Sequence, residues 1–461
     1  MLRQAAAGQR ISGRRPPQIA DILALEVTEM LIEFRFKNYR SFRDEAVLSM
    51  EAAGLGTYKN CLIRYSSKTN LLPGAAIYGK NGGGKSNIIR AFWLAVQFIK
   101  NAQRTQHADA AIPVRPFKLN DYSVNEPTEF SFVYSLDGIK YWYSFSATRE
   151  KICREELYHA PKGQKALVFS RDGQAFTFTE EKAKRRLIAE IVAQNQLFFS
   201  VACTMNDEAC VNAMRWFRER IYFSRDYSDI PQQLLEYSNN PNMLKAISDY
   251  AKSADFGIED MQFEINSKEI TEPQMPEDLP EGVKSALEQF LHALSQVQDV
   301  SEAKMAMGEI KAISMHQGRS RAGEKQMYPL ELADESDGTR TLMSIAPAIQ
   351  SVLDNGGLLL VDEIEKGLHP LLVGFIVSKF QSKATNRKGA QLIFTTHDTE
   401  LLSMELLRKD QIYFTDKNQE DGVSELYGIK ELGTKTAENI RKSYLLGKYG
   451  AIPELDIKEV D

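Results

Sequence analysis

Ala75-Ala-Ile-Tyr-Gly79-Lys-Asn-Gly-Gly-Gly-Lys85-Ser-Asn-Ile-Ile-Arg-Ala-Phe-Trp93 is the stretch that decides the fold. A short apolar strand runs into a glycine-rich loop. From Ser86 the apolar residues recur at helical spacing, at Ile88, Ile89, Phe92, Trp93, Val96 and Ile99. The loop Gly79 to Ser86 fits G-x-x-x-x-G-K-[ST] between a strand and a helix, the setting that pattern needs. Gly79, Gly82, Gly83 and Gly84 let backbone N–H groups close around phosphate oxygens, and the helix start points its positive end at them. Lys85 is then expected on the β- and γ-phosphates and the Ser86 hydroxyl on Mg²⁺, with Asn81 and Asn87 in the same cradle.

Two later strands end in polar tips. Gly356-Gly-Leu-Leu-Leu-Val-Asp362-Glu363 is an apolar run closed by two carboxylates, the pattern of a buried parallel strand with its acids at the C-terminal edge. Ligands of open α/β sheets bind at that edge. Asp362 is expected to hold Mg²⁺, and Glu363 to act as general base on an attacking water. Gln391-Leu-Ile-Phe-Thr-Thr-His397-Asp398 ends at the same edge, where His397 suits a sensor of the γ-phosphate. Between the P-loop and these strands, Glu335-Ser-Asp-Gly-Thr339 opens a helix through Leu342, Ile345, Ile349 and Val352, with Ser336 or Asp337 as N-cap. Gly338 would allow close approach of a phosphate, and Pro347 is expected to kink the helix.

Composition narrows the class. The chain has 461 residues, 43% hydrophobic and 26% charged, which excludes a disordered or collagen-like chain. With 57 Lys and Arg against 62 Asp and Glu, net −5, a globally basic nucleic-acid coat is excluded, while a local basic groove stays open. No apolar run reaches membrane-spanning length. The four cysteines lack C-x-x-C spacing and the histidines lack H-E-x-x-H, so the expectation is a reduced, cytoplasmic protein without structural zinc.

The remaining organisation follows from pattern. Residues 1–29 form an Arg-containing extension without an apolar core and are expected to be dispensable. Residues 30–180 make a first lobe. Ile32, Phe34 and Phe36 alternate as a strand, and Phe130, Phe132, Tyr134, the turn Asp137-Gly138, Tyr141, Tyr143 and Phe145 make an aromatic hairpin. Packing of one sheet face is expected for these aromatics, with base stacking the competing reading. Residues 181–305 are expected to be a helical insertion, including a helix from Pro280 to Gln298 and a basic cluster at Lys182, Lys184, Arg185 and Arg186 on a solvated face. Residues 306–461 make a second lobe, opening with a strand near Ile310 to His316 and a hairpin loop at Gly318 to Gly323.

Taken in order, GKNGGGKS, ESDGT, LLLVDE and TTHD resemble the ABC-type ATPase heads of the SMC/RecF/OLD group. With Phe36-Lys-Asn-Tyr-Arg-Ser-Phe42, Asp362-Glu-Ile-Glu-Lys-Gly-Leu-His-Pro370 and the tail Tyr444-Leu-Leu-Gly-Lys-Tyr-Gly-Ala-Ile-Pro453, the chain is more closely similar to stand-alone AAA-type, RloA-like abortive-infection ATPases of bacteria. The resemblance implies an α/β fold: an ABC-type P-loop head with a mixed sheet flanked by helices, an antiparallel β part, and a helical insertion between P-loop and signature. It implies ATP and Mg²⁺ as cofactors and a homodimer, or higher homo-oligomer, that sandwiches ATP. Ser336 and Gly338 would contact the γ-phosphate bound by the other subunit's Lys85. Glu363 would be the base, His397 the switch histidine, and Arg40 a phosphate contact near the P-loop, with Gln194 or Gln196 as candidate for the glutamine loop. No long coiled-coil arm and no appended TOPRIM nuclease are expected. The implied role is the ATPase subunit of an anti-phage system with a separately encoded effector of TOPRIM type. The alternative is a RecF-like repair ATPase that binds DNA.

Overall fold

The computed structural model describes residues 29–56, 58–105, 110–224, 230–254, 257–270, 305–404, 406–433 and 438–452. The N-terminal extension, apart from Glu29, and the helix expected at Pro280 to Gln298 lie outside the described residues.

Two sheets carry the fold. The first holds β1 (Met30–Lys37), β2 (Ala46–Ser49), β6 (Thr128–Leu136), β7 (Ile139–Ala147), β8 (Ile152–His159), β9 (Ala166–Asp172) and β10 (Ala175–Phe178), antiparallel in the order β10-β9-β8-β7-β6-β1-β2. The second holds β5 (Gly74–Gly79), β11 (Ile221–Phe223), β15 (Leu358–Val361), β16 (Gln391–Thr395), β17 (Ile412–Lys417) and β18 (Ser424–Gly428), in the order β11-β15-β16-β5-β17-β18. All its pairs are parallel except β17–β18, so the sheet is mixed, as expected. A short pair, β3 (Ile63–Arg64) and β4 (Asn70–Leu71), leads into β5.

Helix α1 (Lys85–Thr105) lies between the sheets. β5 is buried on both faces. Ala75 and Ile77 join α1 and the antiparallel sheet in one core, and Ala76 and Tyr78 join a second core on the opposite face. This two-sided burial is why β5 and β15 are continuous apolar runs. On the first side Phe92 of α1 sits 4.7 Å from the Phe34 ring and 5.2 Å from Phe132. The hairpin aromatics Phe130, Phe132, Tyr134, Tyr141, Tyr143 and Phe145 are all buried here, so they pack the core and are not a stacking surface for bases. Trp93 departs from its apolar helix face and is 48% exposed.

The segment after β10 is helical at first, through α2 (Lys182–Ile191), α3 (Phe198–Thr204), α4 (Glu208–Glu219), α5 (Ile230–Glu236) and α6 (Pro241–Ala254). The expectation of a mostly helical insertion over 181–305 needs correction at two places. β11 becomes an edge of the mixed sheet, and β12 (Ile258–Ile270) pairs with β13 (Met305–Arg319), which pairs with β14 (Lys325–Glu331). The hairpin loop expected at Gly318 to Gly323 joins β13 to β14. Helices α7 (Asp337–Asn355) and α8 (Pro370–Gln381) cover the second face of the mixed sheet. Pro347 lies buried inside α7, which continues through it.

The basic cluster on α2 divides. Lys182, Lys184 and Arg186 are exposed, while Arg185 is buried and forks onto Asp207, with Nε–Oδ2 at 2.8 Å and Nη2–Oδ1 at 3.2 Å. Asp207 also caps α4 by accepting from the Cys210 N–H. Burial alone would raise the Asp207 carboxyl, but Arg185 and the Cys210 N–H outweigh it and hold it below its ordinary value. A carboxyl depressed in the folded state stabilises above its unfolded pKa, and that contribution is lost as pH falls through the folded one. Asp207→Ala leaves a buried guanidinium without its counter-charge and is expected to destabilise the protein by about 3–5 kcal/mol. Urea unfolding at neutral pH measures this, and a loss below about 1 kcal/mol would show that Arg185 finds another partner.

Candidate functional site: a phosphate cradle at the edge of the mixed sheet

The parallel strands β15, β16 and β5 are neighbours, so the residues at their C-terminal ends meet at one edge. β5 ends at Gly79, β15 is followed by Asp362 and Glu363, and β16 by Thr396 and His397. The P-loop turns directly into α1. Gly79 has φ +156°, and a Cβ there would lie 2.4 Å from the Thr415 carbonyl oxygen of β17. Gly84 has φ +117°, and its Cβ would meet Ser424 Oγ at 2.8 Å and the Phe42 ring at 3.0 Å. Side chains are therefore excluded at these two positions by backbone conformation and by neighbours.

Lys85 is buried and folds back onto the loop. Its Nζ donates to the Gly79 carbonyl at 2.7 Å and the Lys80 carbonyl at 3.2 Å, and lies 3.3 Å from His397 Nδ1. An ammonium has only donors, so in this contact Nδ1 accepts and the imidazole proton sits on Nε2. Burial and the neighbouring Lys85 charge push the His397 imidazole below its ordinary pKa, against the pull of Glu365, Glu363 and Asp362. Burial draws the Lys85 ammonium down to about 8, and the same carboxylates, Glu365 foremost, oppose that fall.

A threonine absent from the candidates organises the two acids. Thr395 Oγ1 donates to Asp362 Oδ1 at 2.7 Å and accepts the Glu363 N–H at 2.7 Å. This holds Glu363 at φ +53°, a left-handed conformation that costs about 1–3 kcal/mol and is common at reacting centres. The Glu363 side chain is exposed, open to solvent water. Glu365 is a second residue missed by motif reading. Its Oε1 accepts the His397 N–H at 2.5 Å, so it braces the loop that carries the imidazole. Both lie inside the quoted stretches Asp362 to Pro370 and Thr395 to Asp398, but the sequence does not show which groups they bond.

Asn87 bonds the loop Tyr39 to Phe42, in which the Arg40 guanidinium lies against Tyr39. Asn87 Nδ2 donates to Ser41 Oγ at 2.8 Å, while Arg40 lies next in the chain at φ +52°, its N–H bonded to the Arg115 carbonyl. Asn81 and Gly82 are exposed and line an open cleft of about 980 Å³ with Lys80, Leu119 and the β17–β18 turn. Ser336 caps α7, accepting the Thr339 N–H at 3.1 Å, and is itself exposed. A Cβ on Gly338 would lie 2.9 Å from the Gly367 carbonyl. Close packing on the turn after Glu363 thus gives Gly338 a reason within its own chain. Gln194 and Gln196 lie beside Arg171 at the antiparallel sheet, where the Gln194 carbonyl accepts the Ile152 N–H and the Gln196 carbonyl accepts from Arg171 Nη1.

The family profile described as "AAA domain, putative AbiEii toxin, Type IV TA system" matches residues 75–403, from the P-loop strand to just past the histidine. The chain belongs to this AAA family. Among solved structures it is similar to an SMC head bound to the C-terminal winged-helix domain of ScpA, at 15% identity and TM-score 0.40, over 86% of this chain and 97% of that one. It is also similar to the recombination mediator RecF with a bound ATP analogue, at 13% identity and TM-score 0.34, over 86% and 98%. A third is cbiO1 of Clostridium perfringens, from the ABC transporter complex cbiONQ, at 12% identity and TM-score 0.30, over 90% and 96%. No curated protein matches. The matched span of this AAA domain contains Lys85, Asp362, Glu363 and His397, the residues found together at the sheet edge.

Among the described residues no group of three or more His, Cys, Asp and Glu is placed to hold a metal. Asp362 and Ser86 are the carboxylate and hydroxyl that could hold a Mg²⁺ ion, which keeps several waters and completes its shell with phosphate oxygens. Among the described residues, no helix is long and apolar enough to cross a membrane.

Proposed function

We propose that this AAA-family chain binds ATP with Mg²⁺ and hydrolyses it in a head-to-head homodimer. The observation that carries the reading is the meeting of Lys85, Asp362, Glu363 and His397 at adjacent parallel strand ends, behind a glycine loop shaped by close packing. Lys85 exchanges its loop carbonyls for β- and γ-phosphate oxygens. Glu363 takes the proton of the attacking water as the bond from Pγ to the β-phosphate oxygen breaks, and ADP and phosphate leave. His397 Nε2–H donates to a γ-phosphoryl oxygen. Mg²⁺, held through Ser86 and Asp362, would neutralise charge developing on the phosphates. Arg40 and Asn87 serve the same nucleotide from the Tyr39 to Phe42 side.

Ser336 is exposed at the start of α7, where its hydroxyl bonds Thr339 within the cap, which suits it to complete the site of a second copy. Mixing tests this. Lys85→Ala and Ser336→Arg chains are each expected to be inactive alone. A mixed dimer retains one intact site, from Lys85 of one chain and Ser336 of the other, and should recover part of the hydrolysis. Ser336→Arg alone hydrolysing ATP at the wild-type rate would contradict a shared site.

In the cell, we assign the chain to a bacterial abortive-infection system, as the ATPase subunit that governs a separately encoded effector of TOPRIM-nuclease type. The family description, which names AbiEii, supports the abortive-infection part of this assignment. Purification from cells with mass spectrometry of the intact complex tests it. A co-purifying nuclease supports the role, and a purely homomeric particle counts against it.

A further inference from the structure

The helix start at Ser336 is tied to the three-stranded sheet by a buried carboxylate. β13 is the central strand of that sheet, between β12 and β14. Alternate residues of a strand share a face, so Ile310, Ala312, Ser314 and His316 fall on one face of β13. Ile310 and Ala312 are buried in the second core. The next two positions on that face are polar, and both bond one group. Glu335 Oε1 accepts from Ser314 Oγ and lies 2.8 Å from His316 Nε2. Glu335 is 6% exposed and immediately precedes the N-cap Ser336. From the other side, the same helix start rests on the Gly367 carbonyl through Gly338. The residues that would face a second copy's nucleotide are thus gripped between the Gly367 turn and β13.

We propose that Ser314 and His316, acting through Glu335, are positioning residues that aim the Ser336–Gly338 helix start at the nucleotide held by a second copy's Lys85. The proposal rests on the shared-site reading above and adds to it what holds the trans-acting element in place. A buried carboxylate is costly unless paired, and apolar side chains would seal this seam at lower cost. A hydrogen-bonded carboxylate instead fixes direction as well as contact. β12 and β13 pair over twelve positions, from Ile258↔His316 to Ile270↔Met305, so the anchor is the base of a ribbon about 40 Å long and not a loose loop.

The test separates nucleotide binding, which the P-loop performs within one chain, from turnover, which needs the aimed helix start. His316→Ala is expected to lower kcat by about tenfold to a hundredfold. The Kd for a fluorescent ATP analogue should stay within about twofold, since no P-loop contact is touched. His316→Gln, which keeps a side-chain N–H for Glu335, should restore most of the turnover. If His316→Ala does not fold, Ser314→Ala removes one of the two bonds with little change in packing and should show the same split at smaller size. Wild-type kcat in both alanine variants would overturn the proposal. So would equal losses in His316→Ala and His316→Gln accompanied by weaker nucleotide binding, the pattern of general structural damage. Ser336→Arg measured alongside distinguishes the two failures. If it turns over normally, the shared-site reading falls. If it is inactive while His316→Ala is unimpaired, only the positioning role falls.

Discussion

Replacing Glu363 by glutamine is expected to lower ATP hydrolysis by two to four orders of magnitude, the usual worth of a general base, while ATP still binds. The side chain is exposed at the tip of β15, and its backbone is held at φ +53° by the Thr395 hydroxyl. Glutamine keeps the volume and the backbone bond, since that bond uses the N–H and not the carboxylate. What it loses is the capacity to take a proton from water. Lys85, Ser86 and Asp362 are untouched, so nucleotide affinity should be preserved or improved, and the ATP-bound form should accumulate. Steady-state phosphate release measures the first effect and equilibrium binding the second. Normal turnover in Glu363→Gln would place the base elsewhere, with Glu365, whose carboxylate accepts the His397 N–H, the next residue to replace.

Lys85→Ala is expected to remove measurable turnover and to weaken nucleotide binding by about 10–100-fold for each charged hydrogen bond lost. The wild-type lysine should also leave a pH signature. Its ammonium titrates at about 8 because it is buried. Bound polyphosphate favours the charged form. Below pH 8 the lysine is already protonated and affinity should be flat. Above pH 8 binding must take up a proton, so affinity should fall by up to about tenfold per unit. Titrating a nucleotide analogue between pH 7 and pH 9.5 measures the slope, and Lys85→Ala should lack it. An equal slope in both proteins would assign the dependence to another group.

Much of this architecture is legible in local pattern. The loop Gly79 to Ser86, the run Leu358 to Val361 and the strand before His397 are each continuous in sequence, so their chemistry can be read without knowing their neighbours. What could not be read arises from pairing across the chain. Thr395 meets Asp362 only because β15 and β16 align Val361 with Phe394. His316 meets Glu335 only because β13 returns beside the start of α7. β12 is not legible as a strand because Ile258-Glu-Asp-Met-Gln-Phe-Glu-Ile-Asn-Ser-Lys-Glu-Ile270 is heavily charged, and its pairing partner comes from Met305 onward. Arg185 looked like one more solvated charge of its cluster, and only the distant Asp207 explains its burial. The aromatic hairpin was the reverse case. Its alternation points to packing with base recognition as the competing reading, and the burial of all six rings decides for packing.

We propose that the ATP site is completed by two copies of this chain. The most direct test is the solution mass of Glu363→Gln by light scattering, with and without ATP and Mg²⁺. The account predicts the mass of one chain without nucleotide and of two chains with ATP, reversed when Ser336→Arg is added to the same protein. An ATP-bound protein whose mass does not change from the nucleotide-free value would contradict it.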